Sequence, residues 1–336
     1  LIAGCARLSR SPGIVVFTYS TYQGSIEQVN TLREKHSILT ADGVHKRLLR
    51  WSPDRAYLAF IAVEFDIDGK KDTLWIVDAD GDNAHLLFGP APALWYSWEA
   101  DSRTIYVEEA VSFGRIPFDE DTVIRPYSID VETGSVHEVA RRTDLFPLPV
   151  RSPDGTKSVW TDPTNDEWAL YLLDSDGNKL SMIYQPPHGR VVSGVWSPDS
   201  QKLAIVKPED EEIYIYTISS QNWNKLSSLS TTHNSYQVNS VQWSPDGNWI
   251  SYLLNDQEQV RQICAFQIEE REWKERCFNT QWIGNEYVWS SDSRFIVYLG
   301  KTPSGETDLF AVDVREDAII NLTQDGNEVI EEHIAR

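Results

Sequence analysis

The segment VQWSPDGNWISYL, Val241–Leu253, indicates a strand, a tight turn and a second strand. In the turn the proline presets φ, and the aspartate bonds to nearby backbone. The glycine then adopts the left-handed conformation without a Cβ penalty. After the turn, Ile250, Tyr252 and Leu254 alternate with other residues, which is the period of a half-buried strand. This segment decides the fold because the chain repeats it.

Related segments recur along the chain at steps of 45 to 53 residues. The position of the first tryptophan is occupied in turn by Trp51, Trp98, Arg151, Trp196, Trp243 and Trp289. We expect these tryptophans to pack between repeats. In four copies Arg55, Ser102, Ser200 and Ser293 replace the glycine. Each of these is expected to adopt the left-handed conformation, at a cost of about 1 kcal/mol.

Each repeat contains two further strand patterns, such as DTLWIVDADG and AHLLFG after Trp51. A repeat is therefore four short strands joined mostly by turns. A sheet of this size cannot bury both of its faces alone, but neighbouring sheets stacked radially bury each other. The repeats predict a β-propeller.

The two ends of the chain supply the parts of one more repeat. Residues 13–20, 25–32 and 36–43 match the second, third and fourth strands of a repeat, and residues 327–336 stand where the next first strand is expected. We therefore predict an all-β fold with seven blades of four antiparallel strands, the last closed by strands from both termini. Such closure removes an exposed sheet edge. The alternative is a six-bladed propeller.

The WSPDG repeat, the DADG after a third strand, and the Leu-Thr of the fourth strand (Leu39-Thr40 and Leu322-Thr323) resemble the TolB-type propeller repeat. The resemblance covers nearly the whole chain. It implies a group that includes periplasmic scaffold proteins, propeller domains of serine peptidases and binding lipoproteins. Because one fold hosts many functions, the resemblance predicts the architecture better than the activity.

The sequence begins with LIAGC, which resembles a bacterial lipobox, the end of a signal peptide before a lipidated cysteine. We interpret residues 1–12 as a lipobox remnant and linker, with Cys5 as the lipidation site, and 13–336 as a single propeller domain. This predicts an extracytoplasmic protein anchored to the bacterial cell envelope only through an N-terminal lipid. The alternative is a chance buried cysteine. No run approaches 18 apolar residues, so we expect no membrane-spanning helix.

The other two cysteines, Cys264 and Cys277, flank a predicted hairpin. If Ile268 faces Trp273 across the loop, the two thiols lie opposite each other. Opposed strand positions are close enough for a disulfide. We predict this bond, which favours export. In a reducing cytosol the pair would remain two small apolar side chains.

The formal net charge of −21 and the pI of about 4.7 argue against nucleic-acid binding. The loops between second and third strands, taken as 64–72, 108–124, 160–168, 206–212, 254–259 and 299–308, hold 20 acidic and 5 basic residues. Such loops share one face of a propeller. The excess serves solubility, or it recruits a cationic protein partner or calcium.

Two loops carry the candidate partner-binding residues. The long loop 108–124 combines acidic and apolar side chains, which suits a protein contact or a lid. The loop 206–212 contains PEDEE. The candidates are Phe113, Phe118, Asp119, Glu120, Asp121, Glu209, Asp210, Glu211 and Glu212. Trp160 and Trp168 border a third acidic loop, and sugar stacking on them is an alternative to packing between blades.

No cofactor is expected apart from a weak calcium candidate at Asp66, Asp68 and Asp72, because the loop DIDGKKD lacks the bidentate glutamate of a calcium loop. The histidines have no zinc-helix spacing, and no Gly-x-Ser-x-Gly elbow is present. We therefore predict a monomeric, non-catalytic propeller that binds a protein or peptide at the acidic loops or the channel mouth. The alternatives are a lyase or hydrolase with a channel site, and a regulatory propeller of a larger peptidase-like assembly.

Overall fold

The computed structural model describes residues 16–21, 24–39, 42–67, 69–99, 101–112, 123–139, 149–162, 168–187, 194–207, 209, 212–226, 237–255, 261–268, 274–278, 280, 282–323 and 329–335. Within these ranges, 28 strands form seven four-stranded sheets. The sheets are the blades of a seven-bladed, antiparallel β-propeller, which confirms the predicted fold class and blade number. No helix in these ranges is long and apolar enough to cross a membrane.

Each blade runs outward from an innermost strand. From that strand outward, blade 1 is β28 (Val329–Ala335), β1 (Val16–Thr21), β2 (Ile26–Asn30) and β3 (Lys35–Leu39). Blade 2 is β4 (His45–Trp51), β5 (Tyr57–Asp66), β6 (Gly69–Asp78) and β7 (His85–Ala91). Blade 3 is β8 (Ala93–Trp98), β9 (Thr104–Ser112), β10 (Val123–Asp130) and β11 (Val136–Glu138). Blade 4 is β12 (Val150–Arg151), β13 (Lys157–Asp162), β14 (Ala169–Asp174) and β15 (Lys179–Tyr184).

The last three blades follow the same order. Blade 5 is β16 (Gly194–Trp196), β17 (Lys202–Lys207), β18 (Glu212–Thr217) and β19 (Asn222–Lys225). Blade 6 is β20 (Gln237–Trp243), β21 (Trp249–Asn255), β22 (Arg261–Gln267) and β23 (Lys274–Phe278). Blade 7 is β24 (Trp282–Trp289), β25 (Phe295–Lys301), β26 (Thr307–Asp313) and β27 (Ala318–Asn321).

Blade 1 is built from both ends of the chain, as predicted. Strand β28 pairs with β1, with Thr18 opposite Ala335 and Tyr19 opposite Ile334. The backbone groups that β1 would otherwise leave open are therefore paired, so this sheet edge is closed.

Each blade has two ends of different construction. The turn end carries the WSPDG-type turn after the first strand and the hairpin after the third, and the loop end carries the loop between the second and third strands. In blade 6, the Ser244 hydroxyl donates to the Asp246 carboxylate at 2.6 Å and accepts the Trp249 N–H at 2.9 Å. The same serine and aspartate bond recurs in blades 2, 4, 5 and 7.

The residues that replace glycine in the turn all have positive φ, as predicted. The angles of Arg55, Ser102, Ser200 and Ser293 lie between 57° and 63°. The side chains of Ser102 and Ser200 also bond to the preceding blade. The Ser102 hydroxyl accepts the Asp54 N–H at 2.9 Å, and the Ser200 hydroxyl accepts the Asp154 N–H at 3.0 Å. These bonds offset part of the strain of the left-handed conformation.

The repeat tryptophans link neighbouring blades, which confirms the expected packing. Trp51 donates its indole N–H to the Thr18 hydroxyl of blade 1 at 3.3 Å, whereas in blades 3, 5 and 6 the indole N–H donates to the backbone carbonyl just before the repeat position of the preceding blade. The bonds join Trp98 to Arg50, Trp196 to Val150 and Trp243 to Val195, at 2.9 to 3.1 Å. Packing and hydrogen bonding at these residues therefore hold blades 3, 5 and 6 against the blades that precede them.

The described residues divide into two compact units. One lies within Leu1–Arg142, Ile283–Asp313 and Ile319–Arg336, and the other within Thr143–Trp282 and Val314–Ala318. The first contains blades 1, 2 and 3 and most of blade 7, with Phe17, Ile105 and Val297 fully buried. The second contains blades 4, 5 and 6, with Leu203 and Ile250 fully buried.

The loop between β5 and β6 is shorter than the sequence suggests. Strand β5 continues to Asp66 and β6 begins at Gly69, so most of 64–72 is a hairpin of paired strands. Glu64 lies opposite Lys71 in that pairing. Opposite charges across a strand pair are stabilising, and they extend the ladder past the apolar segment.

Candidate functional site

The loop end of blade 5 contains two of the predicted acidic residues, and the structure separates them. Glu209 is exposed, whereas Glu212 begins β18, is fully buried and forms an ion pair with Lys225 at 3.2 Å. The ion pair supplies the charge that a buried carboxylate requires. Glu212 is therefore not part of the exposed acidic surface. Asp210 and Glu211 lie outside the described residues.

Lys207 ends β17 beside this acidic segment, and its ammonium lies over three aromatic rings. The Nζ atom is 4.3 Å from the ring centre of Tyr214, 4.2 Å from that of Trp223 and 5.1 Å from that of Tyr184. In the part of the chain that the structure describes, the Lys207 ammonium forms neither a hydrogen bond nor an ion pair. The rings alone hold its charge, through cation–π attraction.

The strand register explains how this ring cluster forms. Tyr214 lies opposite Lys225 and Tyr216 opposite Trp223, so these side chains share one face of blade 5. Trp223 packs at 4.9 Å from Tyr216, between ring centres. Tyr184 comes from β15 of blade 4, with its ring 6.0 Å from that of Trp223. We call Tyr184, Tyr214 and Trp223 the ring cluster; all three are half-buried.

Glu209 is connected to the ring cluster by a hydrogen bond with Tyr184. The Tyr184 hydroxyl donates to the Oε2 atom of Glu209. The other carboxylate oxygen has no hydrogen-bond partner among the residues that the structure describes. An exposed carboxylate oxygen therefore stands beside aromatic rings that already hold an ammonium group, an arrangement suited to a cation.

Blade 4 repeats part of this arrangement with different residues. Asp162 is buried and forms an ion pair with Lys179 at 2.6 Å, and the Lys179 ammonium lies 4.1 Å from the ring centre of Tyr171. In both blades a lysine of the fourth strand holds a buried carboxylate near a tyrosine of the third strand. Trp160 is 6% exposed and Trp168 half-buried, so Trp160 does not offer an exposed surface for sugar stacking.

Asp72, the described member of the calcium candidate, is fully buried. Its Oδ2 atom accepts from Arg47 Nη2 at 2.5 Å and from the Leu94 N–H at 3.1 Å, and its Oδ1 atom lies 3.0 Å from Lys70 Nζ. Calcium takes six to eight oxygen ligands, whereas this carboxylate has two cationic partners. The donor set at Asp72 therefore does not fit calcium; Asp68 and the Asp66 side chain lie outside the described residues.

The predicted disulfide is present. Cys264 of β22 and Cys277 of β23 are opposed in the register, and their sulfurs are bonded, with a Cα–Cα distance of 4.1 Å. Together with Glu275 they form the one cluster of three ligand-type side chains found among the described residues. Because metal binding requires thiolates, the bonded sulfurs are not available as ligands.

Six further predicted residues lie outside the described residues: Cys5, Phe113, Phe118, Asp119, Glu120 and Asp121. The ring cluster was not predicted from the sequence. The alternation of Tyr214 and Tyr216 could have indicated the shared face of blade 5. No pattern could have indicated Tyr184, because it comes from another blade.

Comparison with known proteins supports the fold. The family model described as the dipeptidyl peptidase IV (DPP IV) N-terminal region matches residues 153–281. The Tol-Pal system protein TolB of Alcanivorax borkumensis is 31% identical over 91 residues, which are 26% of this chain and 20% of TolB. The match with TolB thus spans one fifth of that protein.

Solved structures match over nearly the whole chain. The β-propeller domain of the trilobed protease from Pyrococcus furiosus has a TM-score of 0.58 and 19% identity, covering 98% of this chain and 99% of that one. An oligogalacturonate lyase in complex with manganese has a TM-score of 0.56 and 14% identity, covering 96% and 86%. Identities this low show the fold alone. Together these matches support a β-propeller fold similar to that of TolB.

Proposed function

We propose that the chain is a non-catalytic binding propeller of the bacterial cell envelope, and that the loop end of blades 4 and 5 binds a cationic segment of a protein or peptide. The observation that carries this proposal is the ring cluster, which holds the Lys207 ammonium without a hydrogen bond or ion pair in the described part of the chain. A lysine or arginine of the partner takes the same place over the rings.

The charge around the ring cluster favours such a partner. The segment 207–212 contains one lysine and four acidic residues, in a chain of net charge −21. A field of this sign raises the rate of association with a cationic partner. At close range, the partner's charge meets the open oxygen of Glu209. Lys207 yields its place because its four-carbon stem is flexible.

The location in the envelope is supported by the disulfide between Cys264 and Cys277, since such bonds persist in oxidising compartments. The partial match with TolB and the LIAGC segment favour the same location. In this proposal Cys5 carries the lipid. The test is the intact mass of the protein expressed with its native leader in a bacterial host, before and after thiol reduction.

We expect cleavage before Cys5, a mass increase from acyl chains, and a gain of about two hydrogen masses on reduction of one disulfide. The variant Cys5→Ser serves as the control and should lose the acyl chains alone. An unprocessed and unacylated chain would contradict the lipid anchor. Free thiols before reduction would contradict the oxidising compartment.

Binding is tested with a fluorescently labelled peptide of alternating lysine and glycine, measured by anisotropy. An alternating glutamate and glycine peptide is the negative control. We expect Glu209→Gln to weaken binding of the lysine peptide several-fold. Glu138→Gln, at an exposed position of β11, is the matched control and should have little effect. Equal loss in both variants would indicate attraction by net charge alone and contradict a site at the ring cluster.

A second candidate function is a regulatory propeller of a peptidase-like assembly. It is favoured by the match of residues 153–281 to the dipeptidyl peptidase IV N-terminal region. The test is affinity purification of the full chain from its native cells, followed by peptidase assays on the eluate. A separate peptidase chain at stoichiometric amount would support this function. Its absence, with retained peptide binding, would favour the binding propeller.

A further inference from the structure

The innermost strand of blade 2 contains a β-bulge that brings two arginines to one face. Arg47 lies opposite Ile61, and Arg50 lies opposite Ala59, so β4 has one residue more than β5 over this interval. Leu48 in the bulge has a φ of 53°. Without the extra residue, side chains three positions apart would point to opposite faces of the sheet. The bulge therefore places Arg47 and Arg50 side by side.

Both arginines pack against side chains from neighbouring strands. The Arg50 guanidinium lies 5.9 Å from the ring centre of Tyr96 on β8. The single proton of the Tyr96 hydroxyl is shared between the Leu48 carbonyl in the bulge and the Ala59 carbonyl, the latter at 2.8 Å. Burial raises the pKa of Tyr96, so this hydroxyl remains a donor and fixes the bulge. These contacts hold the backbone that carries Arg47 and Arg50 in one conformation.

The hydrogen-bonding capacity of the two guanidinium groups is largely unused. Arg47 Nη2 donates to Asp72 at 2.5 Å and contacts the Leu94 carbonyl at 3.4 Å. The Nε atoms of Arg47 and Arg50 are buried and have no partner among the described residues. Arg50 forms no side-chain hydrogen bond or ion pair with any part of the chain that the structure describes. Buried polar groups without a partner are rare in native proteins, and a bound ion is one of the few partners that can satisfy them.

The charge of this cluster is opposite to that of the whole chain. The cluster contains three cationic side chains, those of Arg47, Arg50 and Lys70. Among the described residues, one carboxylate, that of Asp72, forms ion pairs with this cluster. An excess of two positive charges therefore persists in a chain of net charge −21. Because like charges repel, placing these cationic side chains together does not stabilise the fold.

We propose that Arg47 and Arg50 bind an oxyanion, the carboxylate or phosphate group of a ligand, at the innermost strand of blade 2. The planar guanidinium fork matches the two oxygens of such a group in a bidentate contact. This site has the opposite charge preference from the ring cluster and lies in blades that do not contribute to it. Its existence does not depend on the proposed function.

Blade 6 shows that the bulge itself does not require arginine. In β20, Asn239 lies opposite Leu253 and Gln242 opposite Ser251, with Ser240 at a φ of 52°. The bulge has the same offset from the repeat tryptophan as in blade 2, but uncharged amides occupy the two positions. The bulge therefore forms without positive charges, so the fold does not require arginine at these two positions of blade 2.

The test measures binding of inorganic phosphate and of succinate to the full chain by calorimetry and thermal shift, at constant ionic strength. We expect Arg50→Gln to weaken binding of the preferred anion at least tenfold. Arg151→Gln is the matched control, because Arg151 is an exposed residue of the innermost strand β12 and its loss changes the net charge equally. Binding of phosphate alone would assign a phosphoryl ligand, and binding of succinate alone a carboxylate ligand.

A second readout separates binding from a structural role. Without anion, Arg50→Gln should be as stable as the unmodified chain or more so, because a like charge is removed and no hydrogen bond is lost. Arg50→Lys keeps the charge but not the fork and should lose an intermediate part of the affinity. The proposal is overturned if neither anion binds the unmodified chain better than Arg50→Gln, or if Arg151→Gln loses affinity equally.

Discussion

The turn end and the loop end of the blades are built from different chemistry. At the turn end, the bond between serine and aspartate recurs in five blades, and the tryptophan N–H groups of three blades donate to the backbone of the preceding blade in the same way. At the loop end of blade 5, Lys207 over its ring cluster has no equivalent in the described part of blade 6. In blade 4, Lys179 also lies over an aromatic ring, but it forms an ion pair with Asp162. The repeated contacts of the turn end serve the fold that the blades share, whereas the arrangement at Lys207 is specific to blade 5.

The largest effect that this comparison predicts is at the repeat tryptophans. Trp243 is buried, and its indole N–H donates to Val195 at 3.0 Å. We expect Trp243→Ala to lower the free energy of unfolding by about 3–5 kcal/mol. Trp223→Ala, in the half-buried ring cluster, should cost clearly less. Urea unfolding measures the free energy of unfolding of both variants. Equal decreases in the two variants would contradict the proposed difference between the turn end and the loop end.

A smaller effect is expected at the turn serine. Ser244 is fully buried, and its hydroxyl forms two hydrogen bonds within the turn. Ser244→Ala leaves the Trp249 N–H unpaired and should cost about 1–3 kcal/mol. Ser304→Ala is the loop-end control; that serine is exposed, so the change should stay within about 0.5 kcal/mol. If the control is as destabilised as Ser244→Ala, the loop ends are as important for stability as the turns.

The smallest effect is a pH dependence at the turn end. The hydrogen bond from Ser152 lowers the pKa of Asp154 from 3.8 to about 2. A carboxylate whose folded pKa is depressed stabilises the fold above its unfolded pKa and loses that contribution as pH falls toward the folded value. We expect stability to fall between about pH 4 and pH 2, and less steeply in Asp154→Asn. Identical acid unfolding curves would contradict the role of this bond.

The sequence predicted the fold well because the information is repeated. Six copies of one turn fix the spacing of the blades, and the ends of the chain complete the seventh. The opposition of Cys264 and Cys277 was also predictable, since it depends only on register within one hairpin.

The candidate site was predicted only in part, because loops carry no periodic signal. Glu212 was expected on the surface, but the strand begins at this residue and Lys225 compensates its burial. The ring cluster and the lysine over it combine residues of β15, β17, β18 and β19. Their geometry depends on packing between two blades, which no single stretch of sequence encodes.

The central claim is that the loop end of blades 4 and 5 binds a cation in the place of the Lys207 ammonium. The most direct measurement compares Lys207→Gln with Lys202→Gln in binding the lysine and glycine peptide at about 150 mM salt, where long-range attraction is largely screened. Lys202 and Lys207 begin and end the same strand, β17, so the two variants change net charge equally. Lys207→Gln empties the ring cluster and should strengthen binding about fivefold, as expected for one cation–π site. Lys202→Gln should change affinity less than about twofold, because Lys202 lies at the other end of the strand from the ring cluster. Equal affinities in the two variants would contradict the claim.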